Sequence, residues 1–160
     1  MTNLAPGDQC PAFRLPDADG GTVTLEALGG HPFVLYFYPK DDTSGCTLEA
    51  IEFTALIDRF DAIGVPVFGV SPDPVKAHCR FRDKHSLRVR LLSDEEKTFL
   101  EACGVWVRKS MYGRSYMGVE RTTALVDGEG RVAEVWNKVK VPGHAEAVLG
   151  SATQLAGGAR

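Results

Sequence analysis

Phe33-Val34-Leu35-Tyr36-Phe37-Tyr38-Pro39-Lys40-Asp41-Asp42-Thr43-Ser44-Gly45-Cys46-Thr47-Leu48-Glu49 carries the chain from an apolar run, through a polar loop, into a helix. The run 33–38 reads as a buried strand. Pro39 and Gly45 break it into a loop. Leu48, Ile51, Phe53, Leu56, Ile57 and Phe60 then recur at three- and four-residue spacing, which predicts a helix over 46–63. Thr43 and Ser44 are natural N-cap residues for it. Cys46 therefore falls in the first helical turn, at the carboxyl end of a strand. Amides of that turn lack intrahelical partners and carry partial positive charge, so a thiolate there is stabilised. The thiolate is the nucleophilic form of cysteine. Open α/β sheets also place their ligand crevices at this end of the strands. Reading Cys46 as merely a small first-turn residue is the weaker choice, because cysteine is not a usual capping residue.

Working outward, Gly64 closes the helix as a C′ residue and 65–71 is apolar enough for a buried parallel strand, completing a βαβ unit. Residues 1–21 read as extended chain ending in a turn at Asp19-Gly20-Gly21, before a short strand from Thr22 to Leu25. Ser71 and Asp73 are candidate caps for a helix running to about His85, with Pro74 in its first turn. Leu91-Leu92 is a short strand, and a helix over 95–103 ends before Gly104. Residues 105–119 lack clear periodicity and read as an ordered loop. Thr122–Asp127 and Arg131–Trp136 flank a turn and form a hairpin, and a last helix follows Pro142-Gly143. This is an α/β layout with a mixed sheet.

Composition narrows the function. The 160 residues are 44% hydrophobic and 24% charged, with a net charge of −3, as in an ordinary globular protein. No long basic run is present, which argues against non-specific nucleic-acid binding. No apolar segment approaches the ~20 residues that span a bilayer. The amino terminus has no signal-peptide character, so a cytoplasmic setting is expected. The four cysteines, Cys10, Cys46, Cys79 and Cys103, contain no Cys-x-x-Cys. This argues against a thioredoxin-type dithiol and against a zinc ribbon. His31, His78, His85 and His144 show no paired ligand spacing, so no metal is expected.

Pro39, Thr43 and Cys46 stand as P-x-x-x-T-x-x-C, and this motif resembles the active site of the peroxiredoxins. The wider string YFYPKDDTSGCTLEA is similar to the bacterioferritin comigratory protein, or peroxiredoxin Q, branch of that family. The resemblance runs from GDQCPAFRLPDADG at 7–20 through LLSDEE at 91–96, GVW at 104–106 and KSMYG at 109–113 to Lys140. Periodicity alone does not separate a thioredoxin-like fold from a flavodoxin-like one. The resemblance implies the former: one domain over 1–160, with a central mixed β-sheet, helices on both faces and an N-terminal extension. It also implies a cofactor-free peroxidase, a monomer or weak homodimer, that reduces hydrogen peroxide and alkyl hydroperoxides through a Cys46 sulfenic acid and is recycled by thioredoxin or a similar dithiol. Thr43, with the Cys46 amide, would hold the peroxide oxygens. Arg121 would lie beside the sulfur, Pro39 would shield the pocket, and Glu49 would orient an arginine.

Each residue has a blander reading. Thr43 caps the helix; Arg121 is an exposed charge, with Arg114 a rival guanidinium; Glu49 complements the helix dipole. Asp41 and Asp42 read as solvated loop acids, and Trp106 as packing. Many relatives in the branch carry a resolving cysteine five residues after the first, where this chain has Ile51. The next candidate is Cys79, 33 residues beyond Cys46 in the second helix. Some family members place their resolver in that helix, nearer the position of Arg82. The opposing reading makes Cys79 a small buried apolar residue. Cys103 and Cys10 read as structural. If no internal thiol resolves, the enzyme is of a one-cysteine type. A redox sensor and a structural domain with unreactive thiols are the readings from other classes.

Overall fold

In the computed structural model, residues 4–158 are described. The first three residues of the expected N-terminal extension and the last two of the chain lie outside them. A five-stranded mixed sheet is built from β3 (Phe33–Phe37), β4 (Val67–Ser71), β5 (Arg90–Ser93), β8 (Thr122–Val126) and β9 (Val132–Trp136), in the order β5-β4-β3-β8-β9. The β3–β4 and β4–β5 pairs are parallel; β3–β8 and β8–β9 are antiparallel. All five residues of β3, of β4 and of β8 are buried, which explains their nearly unbroken apolar sequence.

Alternate residues of β3 feed two cores. Val34 and Tyr36 pack with α1 (Ser44–Ala55), α2 (Ile57–Ala62), α3 (Val75–His85) and α5 (His144–Gly158) through Phe53, Phe60, Phe81 and Val148. Phe33, Leu35 and Phe37 pack with α4 (Thr98–Ala102) and the N-terminal hairpin of β1 (Arg14–Pro16) and β2 (Thr22–Thr24), through Phe99, Leu15 and Val23. Helices therefore cover both faces, as expected. No helix among the described residues is long and apolar enough to cross a membrane.

The long helix expected over 46–63 is broken at Leu56, whose φ of −103° and ψ of 4° leave the helical region, and it begins two residues earlier, at Ser44. The helix expected over 95–103 starts only at Thr98, because Lys97 is left-handed with φ 66°. Residues 105–119 are not a loop. They form an antiparallel hairpin of β6 (Trp106–Met111) and β7 (Arg114–Val119). Its two-residue turn, Tyr112-Gly113, has φ of 53° and 77°, the positive pair of a type I′ turn. The strands are largely exposed, so no alternating apolar pattern marks them.

Tyr36 lies across Gly69 of the neighbouring strand. A Cβ at Gly69 would stand 2.6 Å from Tyr36 Cζ and 2.8 Å from its hydroxyl. Gly69→Ala is expected to destabilise the protein by about 1–3 kcal/mol, measured by urea unfolding.

Candidate active site

Cys46 is the third residue of α1 and is 1% exposed. β3 delivers the chain to the turn at 39–43, and β8 runs antiparallel beside β3 with Thr122 opposite Phe37. Arg121, just before β8, thereby reaches the same end of the sheet. Its Nη2 donates to Cys46 Sγ at 3.3 Å and its Nη1 to Glu49 Oε1 at 2.6 Å. Gly45 makes room for this, since a Cβ there would sit 3.3 Å from Arg121 Nη2. The neighbour of the sulfur is thus Arg121 rather than Arg114, which lies in exposed β7.

Glu49 is 1% exposed. Burial pushes its carboxyl up to about 7, and Arg121 offsets this only in part. Burial would lower the guanidinium, but the Glu49 and Cys46 charges together raise it. The two directions agree on one physical picture, in which a half-buried cation serves two acidic groups. Glu49 Oε2 and the Tyr36 hydroxyl have no hydrogen-bond partner although both are buried. Burial, then the Glu49 and Cys46 charges, push the Tyr36 phenol well up, so it stands neutral in their field. Lys109 of β6 is held below its ordinary range by partial burial and then by Arg121, while Cys46 pulls the other way. The hairpin therefore carries a second cation within the electrostatic reach of Arg121 and Cys46. Sequence reasoning missed Lys109 because its segment was read as loop.

Thr43 occupies the N-cap position of α1 but makes no side-chain cap. Its hydroxyl donates instead to the Lys40 carbonyl at 3.0 Å. The first-turn amides, Cys46 among them, are left without that cap and are available to an anionic or oxygen ligand. Pro39 is half-buried at the start of the turn. Asp41 is not a solvated loop acid: it is 8% exposed and accepts from the Tyr38 hydroxyl at 2.6 Å. The chain turns it inward because its backbone N–H is held by Asp73 Oδ2 at 2.9 Å. Asp42 remains at the surface, paired with Lys84 and His85.

Cys79 is half-buried on α3, and its thiol contacts the Ala18 carbonyl oxygen at 3.2 Å. Arg82 Nη1 shares that carbonyl at 3.0 Å. The site therefore gathers Cys46, Arg121 and Glu49, while Cys79 is engaged with the turn between β1 and β2. Pro74 caps α3 from outside the helix rather than entering its first turn, and Ser71 bonds to Asp73 instead of capping. All four cysteines are free. Burial pushes the Cys10 thiol up to about 12 and the Cys103 thiol well above its ordinary range. Both fit the structural reading.

A cysteine in the first turn of a helix, beside a half-buried arginine and on a mixed α/β sheet, is the arrangement of a thiol enzyme of thioredoxin-like fold. The model of the AhpC/TSA family matches residues 6–135. A putative peroxiredoxin bcp of Coxiella burnetii is 47% identical over 90% of this chain and 95% of its own, and Peroxiredoxin Bcp of Bacillus subtilis is 43% identical over 89% and 91%. Among solved structures, Xanthomonas campestris Peroxiredoxin Q superposes with a TM-score of 0.86 at 44% identity, covering 90% of this chain and 91% of that one. A cysteine-to-serine variant of Xylella fastidiosa PrxQ gives 0.91 at 36% identity, covering 98% and 99%. A further structure concerns the alkyl peroxide reduction activity of the X. campestris bacterioferritin comigratory protein, with a TM-score of 0.86 at 43% identity over 90% of this chain and 92% of that one. The chain belongs to the AhpC/TSA family, within its Bcp or peroxiredoxin Q branch. It is a peroxiredoxin, an enzyme class that reduces hydroperoxides through a cysteine thiolate.

Replacing Arg121 with Met is expected to lower the second-order rate of Cys46 oxidation by about 10²-fold, read by stopped-flow fluorescence with a hydroperoxide. Glu49→Gln tests the buried acid. The folded-state carboxyl titrates near 7, above its ordinary value of 4.5, so the native state holds the proton more tightly than the unfolded chain. The stability this contributes is complete below pH 4.5 and is lost as pH rises through about 7. Urea unfolding of wild type relative to Glu49→Gln should show that decline, and a flat difference across this window would contradict it.

Proposed function

We propose that the chain reduces hydrogen peroxide and alkyl hydroperoxides in a cycle that starts at Cys46. The Cys46 thiolate attacks one peroxide oxygen, the O–O bond breaks, and the other oxygen leaves as water or alcohol after taking a proton. The sulfur is oxidised to sulfenic acid and the peroxide is reduced. Charge moves from sulfur to oxygen along this path, so donors aimed at both lower the barrier. Arg121 at 3.3 Å from Sγ is the observation that carries the reading. Thr43 and the Cys46 amide hold the peroxide oxygens, and Pro39 shields the pocket. For Thr43, its hydroxyl must turn from the Lys40 carbonyl toward substrate.

In the second half-reaction, Cys79 attacks the sulfenic sulfur, a disulfide forms and water leaves. Thioredoxin or a similar dithiol then reduces that disulfide and is itself oxidised. A disulfide requires Cα atoms within about 7 Å. Cys79 must leave the Ala18 carbonyl, and the first turn of α1 must unwind. That turn lacks a side-chain cap, which makes its opening cheap. The hold on Ala18 favours a second reading, a one-cysteine enzyme whose sulfenic acid is reduced directly by an external thiol. The reading takes residues 1–160 as a single catalytic domain, acting on its substrate as a monomer or weak homodimer.

Peptide mapping after one equivalent of hydroperoxide, with free thiols blocked, separates the readings. Cys46→Ser is expected to abolish peroxidase activity. A Cys46–Cys79 linked peptide pair, lost in Cys79→Ser, supports the two-cysteine cycle. Oxygen added at Cys46 without linkage selects the one-cysteine form, and an unmodified Cys46 overturns both.

A further inference from the structure

His78 lies within α3, one residue before Cys79, and is fully buried. Its Nδ1 stands 2.7 Å from Asp41 Oδ2 and its Nε2 stands 2.9 Å from the Leu92 carbonyl oxygen. A carbonyl oxygen only accepts, so Nε2 carries a hydrogen. A neutral imidazole has a single N–H, which would leave the Nδ1 lone pair facing a carboxylate oxygen at hydrogen-bond distance. That contact is repulsive unless a proton lies in it. The second Asp41 oxygen already accepts from the Tyr38 hydroxyl at 2.6 Å. Asp73 is the other anion of the group: one side-chain oxygen or nitrogen from each of Asp41, Asp73 and His78 lies within 4.8 Å of the others. Asp73 Oδ2 accepts from the Asp41 amide at 2.9 Å and from the Ser71 hydroxyl at 2.6 Å. Two carboxylates around one ring favour placing the extra proton on the ring. The ring of Tyr38 packs against it on the remaining side, 6.5 Å between centroids.

We infer that His78 is held as a buried imidazolium and is a positioning residue, clamping the 39–43 turn that precedes Cys46 onto α3 and β5 through Asp41. Asp41 is the inward anchor of that turn. It is tied through Oδ1 to Tyr38, which follows β3, through Oδ2 to His78 of α3 and through its N–H to Asp73, two residues beyond β4. Thr43 contributes no side-chain cap, and the turn's other ties, Asp42 to Lys84 and His85 and the Thr43 hydroxyl to the Lys40 carbonyl, are exposed, so Asp41 is its buried anchor. A displacement of the order of 1 Å in a reacting group costs about 10²-fold in rate. The clamp therefore acts on the reaction of Cys46 with peroxide without touching either. The inference rests on the proposed function only in taking Cys46 as the reacting atom, and the protonation state is measurable without any turnover.

The first test is the ring itself. In the reduced, ¹⁵N-labelled full chain at neutral pH, the His78 ring should show both nitrogens protonated, with the resonance assigned by its loss in His78→Asn. A neutral, singly protonated ring overturns the inference whatever the kinetics show. The second test compares His78→Asn, Asp41→Asn and the double variant. Each single change should slow Cys46 oxidation by a stoichiometric alkyl hydroperoxide about tenfold. The double variant should be no slower than the slower single one, because one device has been removed twice. Unchanged oxidation in the single variants, or additive losses in the double one, overturns the positioning role. If the variants do not fold, the wild-type ring, assigned through its bonds to the His78 backbone, still decides the protonation state.

Discussion

One guanidinium stands between two acidic groups, and the chemistry of the site depends on how it is shared. Arg121 donates to Cys46 Sγ and to Glu49 Oε1 from its two terminal nitrogens. With Glu49 protonated, the cation is free to serve the sulfur. With Glu49 ionised, the two anions divide one positive charge inside the protein, where Coulomb interactions are much stronger than in water. The orphaned Glu49 Oε2 and Tyr36 hydroxyl belong to the same balance, since both sit in this field with no other partner. The fork geometry of arginine is needed for this arrangement; a lysine presents a point charge and cannot address both groups in fixed directions.

The fold supplies that geometry through strand order. β3 is flanked by β4 on one side and β8 on the other, so the helix that follows β3 and the residue that precedes β8 meet at one end of the sheet. Gly45 and Gly69 mark the two places where this arrangement is tight. At Gly45 the guanidinium passes close to the backbone, and at Gly69 the Tyr36 ring lies flat over the neighbouring strand. Their role is the absence of a side chain rather than backbone freedom, as neither has a positive φ. Asp41 and His78 then hold the connecting turn from the opposite side.

Much of this was legible in the chain. The run 33–38, the break at Pro39 and the helical spacing after Cys46 marked a strand, a loop and a cysteine in a first turn. All three are local signals. The hairpin at 106–119 was not legible, because its strands are exposed and its turn uses Tyr112 in a left-handed conformation that few side chains adopt. Asp41 was misread as solvated because its burial comes from partners 32 and 37 residues away, Asp73 and His78. Arg121 was placed beside Cys46 only through the family resemblance. Its approach depends on an antiparallel pairing between β3 and β8 that no local pattern shows. The isolated spacing of His78 hid a ring that matters through its two acceptors.

The four sulfurs divide sharply by environment. Cys10 and Cys103 are packed in the core on the α4 face of the sheet, with their thiols pushed far from ionisation by burial. Oxidation advances through thiolates, so these two lie outside its reach while the fold persists. In the proposed cycle an excess of oxidant therefore consumes Cys46 first and leaves the two core thiols untouched. The packing around Cys10 and Cys103 is thereby spared the charge and bulk that oxidised sulfur would bring into it.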